Sequence, residues 1–83
     1  MSISVNGSAR KHGIDDEDAL QAVAEPLYIG APDDQNPSKQ LFLGYGKRGQ
    51  LLEVVLLIFD SGNELIIHAM PCRKKYYELL GRH

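Results

Sequence analysis

The residues best equipped for chemistry fall in one stretch, IIHAMPCRKKYYELL at 66–80. It carries an imidazole, His68, a thiol, Cys72, and three consecutive cations, Arg73, Lys74 and Lys75. Imidazole titrates near neutrality and serves as a general acid or base. Cations opening a helix oppose its dipole by roughly 0.3–1 kcal/mol each. Together with the free amides of that helix they make an anion site, and phosphate is its natural guest. Plainer readings stand beside these. His68, flanked by Ile66 and Met70 on its own strand face, fits a part-buried histidine hydrogen-bonded to backbone. The cations fit a solvated basic face, their stems covering Tyr76 and Tyr77 and Lys74 pairing with Glu78 one turn on.

Two more basic clusters bear on the same chemistry. Arg10-Lys11-His12-Gly13 supplies a second imidazole, His12, and another cation, Lys11. Lys47-Arg48-Gly49 follows Tyr45, whose ring can stack a base beside cations or serve simply as an edge-strand residue. His12, His68, Cys72 and His83 lack the paired spacing of metal ligands, so no metal and no other cofactor is expected.

The elements that must position these groups emerge from periodicity and punctuation. SVNGSARKHG is polar and Gly-punctuated, a loop or flexible arm over residues 1–13. IDDEDALQAVAEP predicts a helix: Asp15 suits the N-cap, Asp16, Glu17 and Asp18 the first turn, and Ala19, Leu20, Val23 and Ala24 form the apolar stripe that Pro26 ends. GAPDDQNPSK is a loop. KQLFLGYG predicts a first strand, KRG a turn, and QLLEVVLLIF a long strand buried on both faces. DSGN then turns the chain into a third strand, ELIIHAM. Pro71 opens a helix over 71–80 that Gly81 stops. The expected fold is α+β: a small antiparallel sheet of about three strands with an N-terminal and a C-terminal helix.

Eighty-three residues make one domain, 1–83, with a thin stability margin. The net charge of −2 argues against a general nucleic-acid coat. Residues 1–40 hold three Lys/Arg against seven Asp/Glu, whereas residues 41–83 hold six against four. A polyanion site is therefore expected only locally, in the C-terminal half. A single cysteine fits a reducing cytoplasm. The N-terminus lacks a signal-type apolar region, and the longest apolar run, LLEVVLLIF, is half a membrane span and contains Glu53. A soluble, cytoplasmic protein without a membrane partner is expected.

Taken in order, KHGIDDEDALQAVAEPL (11–27), an acidic loop and KQLFLGYGKRGQLLEVVLLIFDSGNELIIHAMPCRKKYYELL (39–80) resemble the BrnT family of type II toxin–antitoxin toxins, small ribonucleases of the RelE-like superfamily. Lys11-His12-Gly13 match its KHG element, Lys39 stands five before Gly44 where the family usually has arginine, and IIHAM stands where IISAR would. The resemblance covers about residues 11–80. Met70 departs from the usual arginine and His68 from the usual serine, and the family's helix before KHG is missing or shortened.

The resemblance implies a RelE-like fold and metal-independent endoribonuclease activity that inhibits translation by mRNA cleavage, through attack of a 2′-hydroxyl on the adjacent phosphate. Such a site needs a base, an acid and cations for the developing phosphorane charge. Its candidates here are His68, His12 and Arg73 for catalysis, with Lys39, Lys74, Lys75, Lys11 and Tyr45 on the RNA. The resemblance also implies a cognate antitoxin that holds the toxin inactive, RNA as substrate, on or off the ribosome, and operator DNA engaged only through the antitoxin. The competing expectation is a non-catalytic RNA- or ribosome-binding module, or a protein-interaction module, derived from the same fold.

Overall fold

In the computed structural model, which describes residues 2–81, helix α1 (Asp16–Ala24) forms where the acids cluster and lies on one face of a five-stranded sheet. Asp15 takes the N-cap position with extended backbone, but its side chain makes no capping bond. Arg48 instead ties the helix start to the turn after β3, its Nη2 standing 2.6 Å from Asp18 Oδ2 and 3.3 Å from Asp15 Oδ2. The acids of the first turn also suit the positive end of the helix.

The strands are β1 (Ile3–Val5), β2 (Pro26–Ile29), β3 (Ser38–Tyr45), β4 (Leu51–Ile58) and β5 (Glu64–Pro71), in spatial order β1-β5-β4-β3-β2. β2 to β5 pair antiparallel, and β1 joins β5 in parallel. The sheet is thus mixed. The three expected strands are present within a residue or so of their expected bounds, and two more extend them. β1 arises in the stretch expected as a loop or arm; Ile3 and Val5 are β-branched, and a single long-range pairing with Glu64–Ile66 makes them a strand. β2 starts directly at the proline that ends α1, its Tyr28 and Ile29 paired with Leu43 and Phe42.

The core lies between α1 and the sheet. Phe42, Leu52, Val54, Leu56, Ile66 and Ala69 face Ala19 and Ala22 of the helix, with Ala9 and Ile14 closing one end. The alanines set a close approach. A methyl at Gly44 would stand 2.6 Å from the Ala22 carbonyl oxygen, so glycine at 44 lets helix and sheet meet. β4 is therefore not buried alike on both faces: Leu52, Val54 and Leu56 are fully buried against α1, whereas Val55 and Leu57 on the other face are only half-buried.

The expected C-terminal helix is corrected. Pro71 is still the last residue of β5, and the chain then forms a seven-residue 3₁₀ segment, Lys74–Leu80, with no buried residue. The cations at its start, Arg73 to Lys75, oppose a helix dipole, and no residue of the segment is buried to hold an α-helix in place. It leaves β5 and reaches β2, crossing the face opposite α1, where Leu43 and Glu53 are fully buried. Among the described residues no helix is long and apolar enough to cross a membrane.

Candidate functional site

Glu53 organises the site. It is the one charge in the apolar run of β4, and it is 1% exposed. A buried carboxylate is tolerated only when its oxygens are fully engaged. Here Arg73 donates its backbone N–H (3.0 Å) and Nε–H (3.0 Å) to Oε1, and Nη2–H (2.6 Å) to Oε2. His68 Nε2 completes Oε2 at 3.0 Å. Burial pushes the Glu53 carboxyl up, but the Arg73 side chain, the Arg73 amide and His68 outweigh it and hold the group at about 2. Glu53 is ionised throughout the neutral range.

A bulge brings His68 to that carboxylate. β5 pairs Val55 with His68 but Leu56 with Ile66, so Ile67 is an extra residue in the ladder. Strict alternation would put Ile66 and His68 on one face; the bulge instead sends Ile66 and Ala69 to the helix side and His68 and Met70 to the other. On that face His68 stands diagonally across from Glu53, within side-chain reach.

His12 arrives from the opposite end of the chain. Asn6 Oδ1 caps the 3₁₀ turn Gly7–Arg10, and Ser8 Oγ donates to the Ile67 carbonyl at 3.0 Å, tying the turn to the bulge. Gly13, at φ +78, closes the next turn, and buried Ala9 and Ile14 anchor both ends. Arg10 and Asp16 fix this segment to α1 through a two-pronged ion pair. His12 is left exposed with its ring edge-on to His68, centroids 5.8 Å apart. His68 is 27% exposed, so the imidazole pair is open to solvent on one side.

The three residues expected to be catalytic, His68, His12 and Arg73, are therefore brought together. Arg73 is in a different situation from the one expected. It stands at the N-cap of a 3₁₀ segment, not an α-helix, and its amide and two guanidinium nitrogens are taken by Glu53. The expected external anion site at a helix start is replaced by an internal anion. Arg73 is still 46% exposed, and Glu53 does not engage its Nη1. Its guanidinium and the Lys75 ammonium also lie over the Tyr76 ring, at 5.6 and 5.0 Å from the centroid.

Lys74 and Lys75 are exposed just beyond Arg73, and Lys11 is exposed beside His12. Lys39 shares a sheet face with His68 by register but lies two strands and two residues away, about 12 Å by strand spacing. Tyr45, half-exposed at the other end of β3, lies farther still, roughly 16 Å from His68 on the same spacing. The structure does not bring these two to the cluster. Cys72 is buried beside it; burial, then the Glu53 charge, pushes its thiol up against the pull of Arg73. Among the described residues no three His, Cys, Asp or Glu converge to hold a metal ion, and His83 lies outside them.

Glu53 is the residue that composition and spacing did not single out. Its signal was there: a lone carboxylate amid apolar residues on both sides of a strand must find a buried partner. Comparisons with protein-family models, curated proteins and solved structures find no match to this chain.

Proposed function

We propose that this chain is a RelE-like toxin of the BrnT kind, an endoribonuclease that cleaves mRNA without a metal. The observation that carries the reading is the pair of imidazoles, His68 and His12, set against a buried Glu53–Arg73 ion pair, with exposed Lys74 and Lys75 directly after Arg73 and exposed Lys11 directly before His12. In this reading His68 takes the proton from the ribose 2′-hydroxyl. The 2′-oxygen attacks the adjacent phosphorus, the bond to the 5′-oxygen breaks, and His12 returns a proton to that leaving oxygen. The products are a 2′,3′-cyclic phosphate and a 5′-hydroxyl. The Nη1 of Arg73, which Glu53 does not engage, and the neighbouring lysines offset charge on the phosphorane, and Lys39 meets the strand farther along. The protein acts in the cytoplasm, on mRNA free or on the ribosome. Its cognate antitoxin covers this basic surface and alone contacts operator DNA.

A second reading rests on Arg73 itself. With its backbone N–H, Nε and Nη2 engaged by Glu53, and with Met70 where the resembled family has arginine, the same surface serves a module that binds RNA, ribosome or protein without cutting. Expression of the chain alone in a bacterial host separates the two. The ribonuclease reading expects growth arrest with new RNA ends that disappear in His68→Ala, while RNA binding by the variant persists. Arrest with intact RNA, or cleavage undiminished in His68→Ala, overturns it.

A further inference from the structure

We infer that Glu53 is a positioning residue that fixes which nitrogen of His68 faces the substrate: it holds the proton on Nε2 and leaves Nδ1 as the working base. The inference rests on the ribonuclease reading only for its catalytic consequence; the tautomer is dictated by the geometry alone.

Ionised carboxylates accept hydrogen bonds and donate none. Glu53 Oε2 lies 3.0 Å from His68 Nε2, so in the neutral ring Nε2 must be the protonated nitrogen. Nδ1 then keeps its lone pair, and it has no hydrogen-bond partner among the described residues. In free imidazole the two tautomers interchange readily; here the carboxylate selects one, as an acceptor on one ring nitrogen commonly does. Arg73 makes the selection rigid. Its donors come from a backbone amide and a guanidinium at once, so the carboxylate plane cannot turn.

The arrangement predicts what an isosteric amide does. At Oε1 two Arg73 donors converge, one of them a backbone N–H that cannot move away. In Glu53→Gln the amide oxygen must therefore stay at that position, which places the NH2 at the Oε2 position, facing His68 Nε2. Arg73 Nη2 and the longer Nε contact to Oε2 (3.2 Å) are then opposed by a donor, and the half-exposed guanidinium turns toward solvent as one rigid fork while the backbone N–H keeps its bond to the amide oxygen. His68 Nε2 becomes an acceptor and its proton passes to Nδ1. The ring keeps its place while the base is presented on the wrong nitrogen.

The test is long-range 15N–1H correlation of His68 in the full chain, above about pH 8.5, where imidazole is normally neutral. It is paired with RNA cleavage and RNA binding by the same samples. Wild type is expected as the Nε2–H tautomer and Glu53→Gln as Nδ1–H, with cleavage down about 10²–10⁴-fold and RNA affinity kept. An Nδ1–H tautomer in the wild type overturns the inference, and that spectrum needs no variant to fold. A folded Glu53→Gln that keeps Nε2–H also overturns it, whatever its activity. If the wild type cuts no RNA, the ribonuclease reading fails while the tautomer result still decides the role of Glu53.

Discussion

Arg73 grips Glu53 from two directions, with its backbone N–H and Nε on Oε1 and its Nη2 on Oε2 at 2.6 Å. The pair joins the residue just past β5 to the middle of β4, so the last segment of the chain is fastened through a charge that the sheet has buried. Breaking one partner differs from removing both. Arg73→Ala strands a buried carboxylate and should cost about 2–4 kcal/mol, toward the low side of the range for buried pairs because Arg73 is half-exposed. Replacing both residues with methionine should cost much less. Urea unfolding midpoints, with unchanged slopes, will show the difference.

Acid should act through the same carboxylate. The Glu53 pKa in the folded protein is about 2, below its ordinary value of 4.5. A depressed pKa contributes stability that is full above the unfolded value and is lost as pH falls through the folded one. The window is therefore from about pH 4.5 down to about pH 2, and the loss about 3 kcal/mol. Asp18 and Asp16, held low by Arg48 and Arg10, add to the loss in the same direction. Unfolding free energies measured across this window should fall steeply in the wild type and less in Glu53→Gln.

Gly44 should tolerate no side chain. Alanine there meets the Ala22 carbonyl oxygen at 2.6 Å and forces α1 away from the sheet, at about 1–3 kcal/mol. Gly7→Ala, with nothing within 4 Å, is the matched control. Melting temperatures should drop for the first and stay within a degree or so for the second, given about 4–8 °C per kcal/mol at this size.

RNA binding should divide along the surface. Lys74→Ala with Lys75→Ala should lower the salt dependence of single-stranded RNA affinity by about 1.4 in log–log slope, on the basis of about 0.7 per phosphate contact. Lys39→Ala, about 12 Å from His68, should weaken binding and leave the chemical step nearly unchanged. Salt titrations and single-turnover cleavage measure the two separately.

The sequence is most legible where its signals are local. The acids and proline bracket α1, the two turns delimit β3, β4 and β5, and the imidazoles and Arg73 stand out by type. The hidden features depend on distant partners. Ile3–Val5 is a strand only because β5 offers it an edge about sixty residues on. The bulge at Ile67 has no glycine or proline to announce it, yet it decides that His68 leaves the core face. Glu53 is visible as an oddity within an apolar run, but its meaning needs the geometry of Arg73. The C-terminal segment has an apolar spacing that suits a helix, but none of its residues is buried, so no tertiary packing holds it in that form.

The parallel pairing of β1 with β5 also sets an order of assembly during synthesis. β1 precedes its partner, Glu64–Ile66 of β5, by about sixty residues, so it is made well before the strand it pairs with. Without β5, residues 3–12 have no place to dock, and β4 is left with a bare edge and with Glu53 lacking Arg73. His12 lies before the sheet's central strands and Arg73 after them, so no nascent fragment that stops short of residue 73 can hold His12, His68, Glu53 and Arg73 together. On the ribonuclease reading, cleavage therefore requires translation to have passed that point, and a chain truncated before it is an edge-exposed sheet prone to sticking to its neighbours.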